Sequence, residues 1–193
     1  MNAALQRMTA DEFLVWSQQQ AESWEFVSGH PVLRHAGSTD LMTGATERHD
    51  RIVTNLIADL HQKLRRGPCR VKTADQATAM PTGNIRRPDV TIDCGPPNPD
   101  SLSTSVPTVL FEVLSPSTRL IDLVKKTEEY KTLESLKHIV LMEADVVKVM
   151  MWTRNAEGWS LEAFETIEAV LPLTGIGVDL SPADAYDGVT LAP

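Results

Sequence analysis

Apolar positions recur at helical spacing most clearly between residues 46 and 66. There Ile52, Val53, Leu56, Ile57, Leu60 and Leu64 form one stripe, while Arg48, Arg51, Asn55, Gln62 and Arg66 lie opposite. This predicts an amphipathic helix, stopped by Gly67-Pro68. A shorter helix is predicted over about residues 10–20, because Thr9-Ala10-Asp11-Glu12 has the form of a capping box. Strand-like pieces at 24–27 and 31–35 flank Ser28-Gly29 as a hairpin. Further strands are expected at 69–73, 89–94 and 108–114, with a Pro-, Asn- and Ser-rich loop over 95–107. A second long helix is predicted at about 119–133, then strands at 139–142, 146–152 and 159–164; beyond Thr166 the pattern gives only short strands or turns. Helices interleaved with strands in this order predict an α/β fold, a mixed β-sheet flanked by helices with additional hairpin strands. At 193 residues the chain fits one domain, with a core over about 9–152 and a C-terminal strand extension over 153–193.

Composition changes this picture little. Hydrophobic residues make up 42% and charged residues 23%, which excludes a disordered chain. No apolar run approaches the roughly 18 residues of a membrane span. The first ten residues lack a basic start followed by an apolar stretch, so no signal peptide is expected. Cys69 and Cys94 fall in strand-like stretches and read as two small buried side chains, neither a disulfide nor a metal pair. A cytoplasmic setting without membrane contact follows from these readings.

Charge is more informative in its distribution than in its sum of -8. Residues 46–87 carry nine Lys/Arg (Arg48, Arg51, Lys63, Arg65, Arg66, Arg70, Lys72, Arg86, Arg87) against four acids, a local +5. Residues 128–187 carry twelve acids against four bases, a local -8. An acidic protein with one basic region is still able to hold a phosphate backbone; a solvated helix face beside an acidic half explains the same numbers.

Candidate chemistry begins at Glu112, a carboxylate inside the apolar run Val109-Leu110-Phe111-Glu112-Val113-Leu114. Burying it costs several kcal/mol unless a salt bridge, a proton or a metal ion compensates it. Asp89 follows Pro88 at the mouth of another strand, where proline is tolerated. Two acids on successive strands can converge, and hard oxygen ligands of this kind suit Mg²⁺ or Mn²⁺. On the following helix Leu123, Lys126, Tyr130 and Leu133 share a face, so Lys126 turns toward the sheet, while Lys125, Glu128 and Glu129 turn away. Asp122 is an alternative partner for Lys126 at i,i+4. His49 projects beside Ile52, Val53 and Leu56 at the first turn of its helix, where it serves either the core or the site. The other histidines show no ligand spacing with one another or with the cysteines. No Walker loop, dinucleotide fingerprint or Gly-x-Ser-x-Gly elbow is present.

Several blocks resemble a large bacterial family of restriction-type endonucleases within the PD-(D/E)xK nuclease superfamily. They are Trp24-Glu25-Phe26-Val27-Ser28-Gly29, His49 to Ile52, Arg87-Pro88-Asp89, Phe111-Glu112-Val113-Leu114-Ser115-Pro116-Ser117-Thr118, and Asp122 with Lys126 and Tyr130. The Glu112-to-Thr118 block followed by Asp-x-x-x-Lys-x-x-x-Tyr is the more specific signature. The resemblance spans about residues 9–152. It implies a restriction-endonuclease-like core, Asp89 and Glu112 as metal ligands, Glu25 as an additional acid near the site, and Lys126 as the catalytic lysine. The superfamily's usual lysine position, two residues after the glutamate, is Leu114 here, and the usual acid closing the first hairpin is His30.

The reading is a Mg²⁺- or Mn²⁺-dependent nuclease hydrolysing phosphodiesters in DNA, with Asp89, Glu112, Lys126, Glu25 and His49 as its site and a homodimer as a plausible assembly. The alternative is a DNA-binding or interaction module that keeps the fold without useful catalysis, in line with the sparse aromatics (5%). A different phosphate ester as substrate is a third reading.

Overall fold

One strand, Pro107–Leu114, is buried along its whole length and divides the core in two. Side chains alternate along a strand. Val109, Phe111 and Val113 therefore join one apolar cluster, while Leu110 and Leu114 join another on the opposite face. Glu112 falls on the second face. The structure, a computed structural model, describes residues 7–34, 46–114 and 121–192, with the side chains of 121–123 outside the description.

The elements in order are α1 (Ala10–Ser17), β1 (Trp24–Val27), β2 (His30–Leu33), α2 (Glu47–Leu64), β3 (Arg70–Thr73), β4 (Thr78–Ala79), β5 (Ile85–Arg86), β6 (Val90–Asp93) and β7 (Pro107–Leu114). A π-helical segment (Ile121–Lys126) then runs into α3 (Thr127–Tyr130), followed by β8 (His138–Glu143), β9 (Val149–Asn155), β10 (Gly158–Phe164), β11 (Leu171–Leu173), β12 (Val178–Leu180) and α4 (Pro182–Ala185). The main sheet has six strands in the order β10-β9-β8-β7-β6-β3. Only β7 and β8 run parallel within it, joined through the π-helical segment and α3. A smaller sheet, β2-β1-β5-β4, stands beside it. This is the mixed α/β architecture of the restriction-endonuclease-like fold.

The stripe read from the sequence builds the first layer. Ile52, Leu56, Leu60 and Leu64 of α2 are buried against Val90, Ile92, Phe111, Val140 and Met142. Leu171, Leu173, Leu180 and Tyr186 from the C-terminal tail complete the same cluster. On the other face Tyr130, Leu133 and Leu136 cover Leu110, Leu114, Ile139 and Leu141. α1 is held by its capping box, Thr9 with Glu12, and buries Phe13 against Phe26 with ring centroids 5.1 Å apart.

Three details depart from the sequence pattern. The second long helix is shorter than residues 119–133 and opens with π geometry; Ser115-Pro116-Ser117-Thr118 and the start of that predicted helix lie outside the described residues. Two-residue strands β4 and β5 were beyond the reach of a pattern that needs four or more positions. Cys69 and Cys94 form a disulfide, contrary to the reading as separate thiols. The physical reason is register: Arg70 pairs with Asp93 across β3 and β6, so the residues one step outward face each other, with Cα atoms 4.0 Å apart.

His138 ties the tail to β8. Its Nε2 accepts the Gly175 N–H at 3.1 Å, and its Nδ1 lies 3.1 Å from the Thr153 hydroxyl. Burial holds its pKa down from 6.5 to about 4. The folded ring is therefore neutral where the unfolded ring has already taken a proton, and this contribution to stability is full above about pH 6.5 and lost as pH falls toward 4. Urea midpoints measured across that window should drop more steeply for the wild type than for His138→Gln. Parallel curves would remove the assignment.

Candidate active site

The site forms where the first residues of β6 meet the later half of β7. β6 and β7 pair with Val90 opposite Phe111. Continued by one residue, this register sets Asp89 across from Glu112, and directly opposed side chains share a sheet face. Asp89 is anchored there because its Oδ2 accepts the Val113 N–H at 2.7 Å. Both acids are nearly inaccessible, Asp89 at 5% and Glu112 at 3% exposure.

Each carboxylate carries its own cations. Arg34, at the end of the β1–β2 hairpin, donates to Asp89 Oδ1 at 2.5 Å. His49 Nε2 lies 3.1 Å from Asp89 Oδ2. The first turn of α2 delivers His49, and that turn is fixed by Thr46, whose hydroxyl accepts the His49 backbone N–H. Although burial opposes ionisation, the His49 hydrogen bond and the Arg34 charge hold the Asp89 carboxyl far below the usual carboxylate range. Burial likewise pushes His49 down, but the hydrogen bond to Asp89 and the charges of Asp89 and Glu112 win and raise its pKa. Its Nδ1 is buried with no hydrogen-bond partner among the described residues.

Glu112 sits among groups from the following helical segment and from the small sheet. Tyr130 donates its hydroxyl to Glu112 Oε1 at 2.5 Å, and Lys126 Nζ lies 3.4 Å from the same oxygen. The Tyr130 hydroxyl is held strongly protonated, first by burial and then by the Glu112 charge. Lys126 also lies 3.3 Å from Glu25 Oε1. One ammonium thus joins the acid of β7 to the acid of β1. Lys126 is 7% exposed and Lys125 is exposed, as the face assignment expected, and Leu114 at the usual lysine position is a buried core side chain.

Glu25 is reached from the small sheet. Arg86 of β5 donates to its Oε2 at 2.9 Å, and the Arg87 backbone N–H donates to its Oε1 at 3.2 Å. Against the cost of burial, Lys126 and Arg86 hold the Glu25 pKa below the ordinary value. Arg86 also reaches Glu129 at 2.6 Å. Glu129 further accepts from Asn84 and Thr82, so it does not face water as the helical face assignment expected. The small sheet covers that flank of the helix, which a single-helix projection does not see.

The structure thus brings Glu25, His49, Asp89, Glu112 and Lys126 into one connected centre. Arg34, whose pKa is set by burial against the charges of Asp89, Glu112 and Glu25, belongs to it as well. Sequence reasoning missed Arg34 and the clamp role of Arg86. An arginine after a hairpin strand looks solvated, and Arg86 was counted with the basic surface. Arg87 is buried too, donating to the Trp24, Ala74 and Asp75 carbonyls and to the Ser17 hydroxyl. His30, at the hairpin turn, is exposed, and Asp122 lies among the side chains outside the description.

A mixed sheet carrying opposed carboxylates on adjacent strands, with a buried lysine on the helix that follows, defines a protein of the restriction-endonuclease-like class. The chain belongs to the family described as "Putative restriction endonuclease" (Uma2), which it matches over residues 10–183. It is similar to "Uncharacterized protein slr1290" of Synechocystis sp. (strain ATCC 27184 / PCC 6803 / Kazusa), with 25% identity over 191 residues, 97% of this chain and 96% of that protein. Among the described residues no helix is long and apolar enough to cross a membrane.

Proposed function

We propose that the protein is a divalent-metal-dependent nuclease that hydrolyses phosphodiester bonds in DNA in a cytoplasmic setting, where the Cys69–Cys94 pair would meet a reducing poise. The observation that carries this reading is the meeting of Asp89, Glu112 and Glu25 with Lys126 in one buried centre. The donor chemistry fits Mg²⁺ or Mn²⁺, because Asp89 and Glu112 offer hard oxygens on one sheet face. No group of three or more His, Cys, Asp or Glu side chains suited to a metal occurs among the described residues. An ion held by Asp89 and Glu112 alone would keep several waters. When bound, the metal would lower the pKa of a water and offset charge on the scissile phosphate.

The chain's own residues do the rest. Lys126, held between Glu25 and Glu112, places a positive charge where a phosphoryl oxygen gains negative charge, and orients the attacking water. Hydrolysis forms one P–O bond from that water and breaks one P–O bond of the backbone, whose leaving oxygen takes a proton. Glu25 fixes Lys126 together with Glu112, and His49 fixes Asp89. Tyr130 orients Glu112 through its hydroxyl. The reading is tested by plasmid cleavage with Mg²⁺: Asp89→Ala and Lys126→Ala should cut far more slowly than the wild type, and equal rates would end it.

A second reading, a DNA-binding module of nuclease fold without catalysis, is favoured by one observation. Both Asp89 oxygens already have partners, Arg34 on one and His49 with the Val113 N–H on the other. A cation entering beside Asp89 competes with the Arg34 guanidinium. At an effective dielectric near 20 a contact ion pair is worth about 4 kcal/mol, a barrier that a divalent ion is able to overcome. Arg34→Gln should therefore bind Mn²⁺ at least about tenfold more tightly than the wild type by calorimetry, a gain of about 1.4 kcal/mol, while its metal-free form melts lower. If Arg34→Gln and the wild type both leave Mn²⁺ unbound, the non-catalytic reading takes over.

A further inference from the structure

The basic region read from the sequence does not survive as one surface. Arg86 and Arg87 are buried clamps. Arg51 pairs with Glu47, and Lys63 with Asp59, each along one turn of α2. What the fold does collect is a separate cavity of about 450 Å³ at the C-terminal end of α2, against the edge strand β3. Arg65, Arg70, Lys72 and His61 line it, and none of its lining residues among those described is acidic. In a chain of net charge -8 this is a concentrated exception.

The cavity is built, with fixed walls. Arg70 is held by hydrogen bonds to the Pro68 and Gly95 carbonyls. The β3–β6 ladder, with Arg70 opposite Asp93, holds the cavity wall beside Cys69. Arg65 caps the helix end, where positive side chains are favoured near unsatisfied carbonyls. A cationic ligand has no complementary group here. An oxyanion does, since Arg65, Arg70 and Lys72 line one cavity and none of the three is buried.

Position decides which oxyanion. The other end of α2 carries His49, in the acidic centre. His49 and Arg65 stand sixteen positions apart, which is about 24 Å along the helix at 1.5 Å per residue. β3 covers about 10 Å of that interval: Thr73 pairs with Val90, next to Asp89, while Arg70 pairs with Asp93 at the cavity end. A ligand that touches both places is an extended polyanion that follows the sheet edge. We propose that this cavity is a second DNA-backbone phosphate site, remote from the phosphate that is cut, with Arg65, Arg70 and Lys72 as its cations. This rests on the DNA reading above and adds to it a defined path for the strand.

The test measures affinity for a duplex of 20 base pairs by fluorescence anisotropy over a range of salt, without divalent metal, for the wild type, Arg65→Ala/Lys72→Ala, and the charge-preserving Arg65→Lys/Lys72→Arg. Each phosphate neutralised contributes about 0.9 to the slope of log affinity against log salt. The alanine pair should lower that slope by about 1.8, the charge-preserving pair should keep it, and both should bind Mn²⁺ as the wild type does. An unchanged slope in the alanine pair, with the wild type still binding DNA, overturns the second site and leaves the nuclease reading intact. A wild type that binds no DNA at any salt overturns both.

Discussion

Lys126→Met is expected to slow DNA cleavage by about 100- to 1,000-fold and to unfold more readily than the wild type. Lys126 is the cation shared by Glu25 and Glu112, at 3.3 and 3.4 Å. Both acids are buried, so removing their common counter-charge leaves carboxylates that cannot turn to water. Breaking a buried pair by deleting one partner costs about 3–5 kcal/mol, which would lower the urea midpoint substantially. Loss of activity alone would then be ambiguous. Glu25→Gln/Lys126→Met separates the two effects, because it deletes one charge of each sign and leaves Arg86 with Glu129 as a partner. The double variant should recover part of the lost stability and none of the lost cleavage. A double variant that cuts as fast as Glu25→Gln alone would show that Lys126 is a structural counter-ion only.

The second large effect is expected at Glu112. Glu112→Gln keeps an oxygen that accepts the Tyr130 hydroxyl, and Lys126 keeps Glu25. The fold therefore keeps both of those contacts, and the cost should stay within about 1–3 kcal/mol. Metal affinity has no such reserve. Asp89 alone, already shared with Arg34 and His49, would have to hold the ion. Mn²⁺ binding should weaken by at least about 100-fold, beyond what loss of a supporting contact produces, and cleavage should fall with it. Calorimetry at matched protein stability reads the first, and plasmid relaxation the second. Unchanged Mn²⁺ affinity in Glu112→Gln would remove Glu112 from the metal site.

Which parts of this centre were legible in the sequence follows from physics at two length scales. α2 was legible because Ile52, Leu56, Leu60 and Leu64 obey one local period, and all four are buried. Glu112 was legible because a charge inside an unbroken apolar strand needs compensation wherever it goes. Lys126 was legible from its side of the helix, although the backbone there is π-helical over Ile121–Lys126. Arg34 and Arg86 were not, since a guanidinium beside a hairpin or in a two-residue strand looks solvated until distant acids are placed against it. Arg34 and Asp89 are 55 positions apart, and Arg86 and Glu25 are 61 apart. The cysteines failed for the same reason. Only the β3–β6 register makes Cys69 and Cys94 neighbours, and no local pattern encodes that register.

The acidic centre also explains why the basic residues mislead when counted together. Arg86 and Arg87 belong to the interior, where Arg86 pairs with Glu25 and Arg87 donates to the Trp24, Ala74 and Asp75 carbonyls. Of the basic residues between 46 and 87, Arg65, Arg70 and Lys72 line the cavity at the far end of α2. A net negative protein that handles DNA would thus concentrate its attraction in one place instead of spreading it over a face.

Crystals of the protein soaked in Mn²⁺, with anomalous scattering recorded at the manganese edge, address the metal site most directly. An anomalous peak is expected between the Asp89 and Glu112 carboxylates, with the Arg34 guanidinium moved off Asp89. An empty position there at saturating Mn²⁺, with Arg34 still paired to Asp89, would contradict a metal held by these two acids.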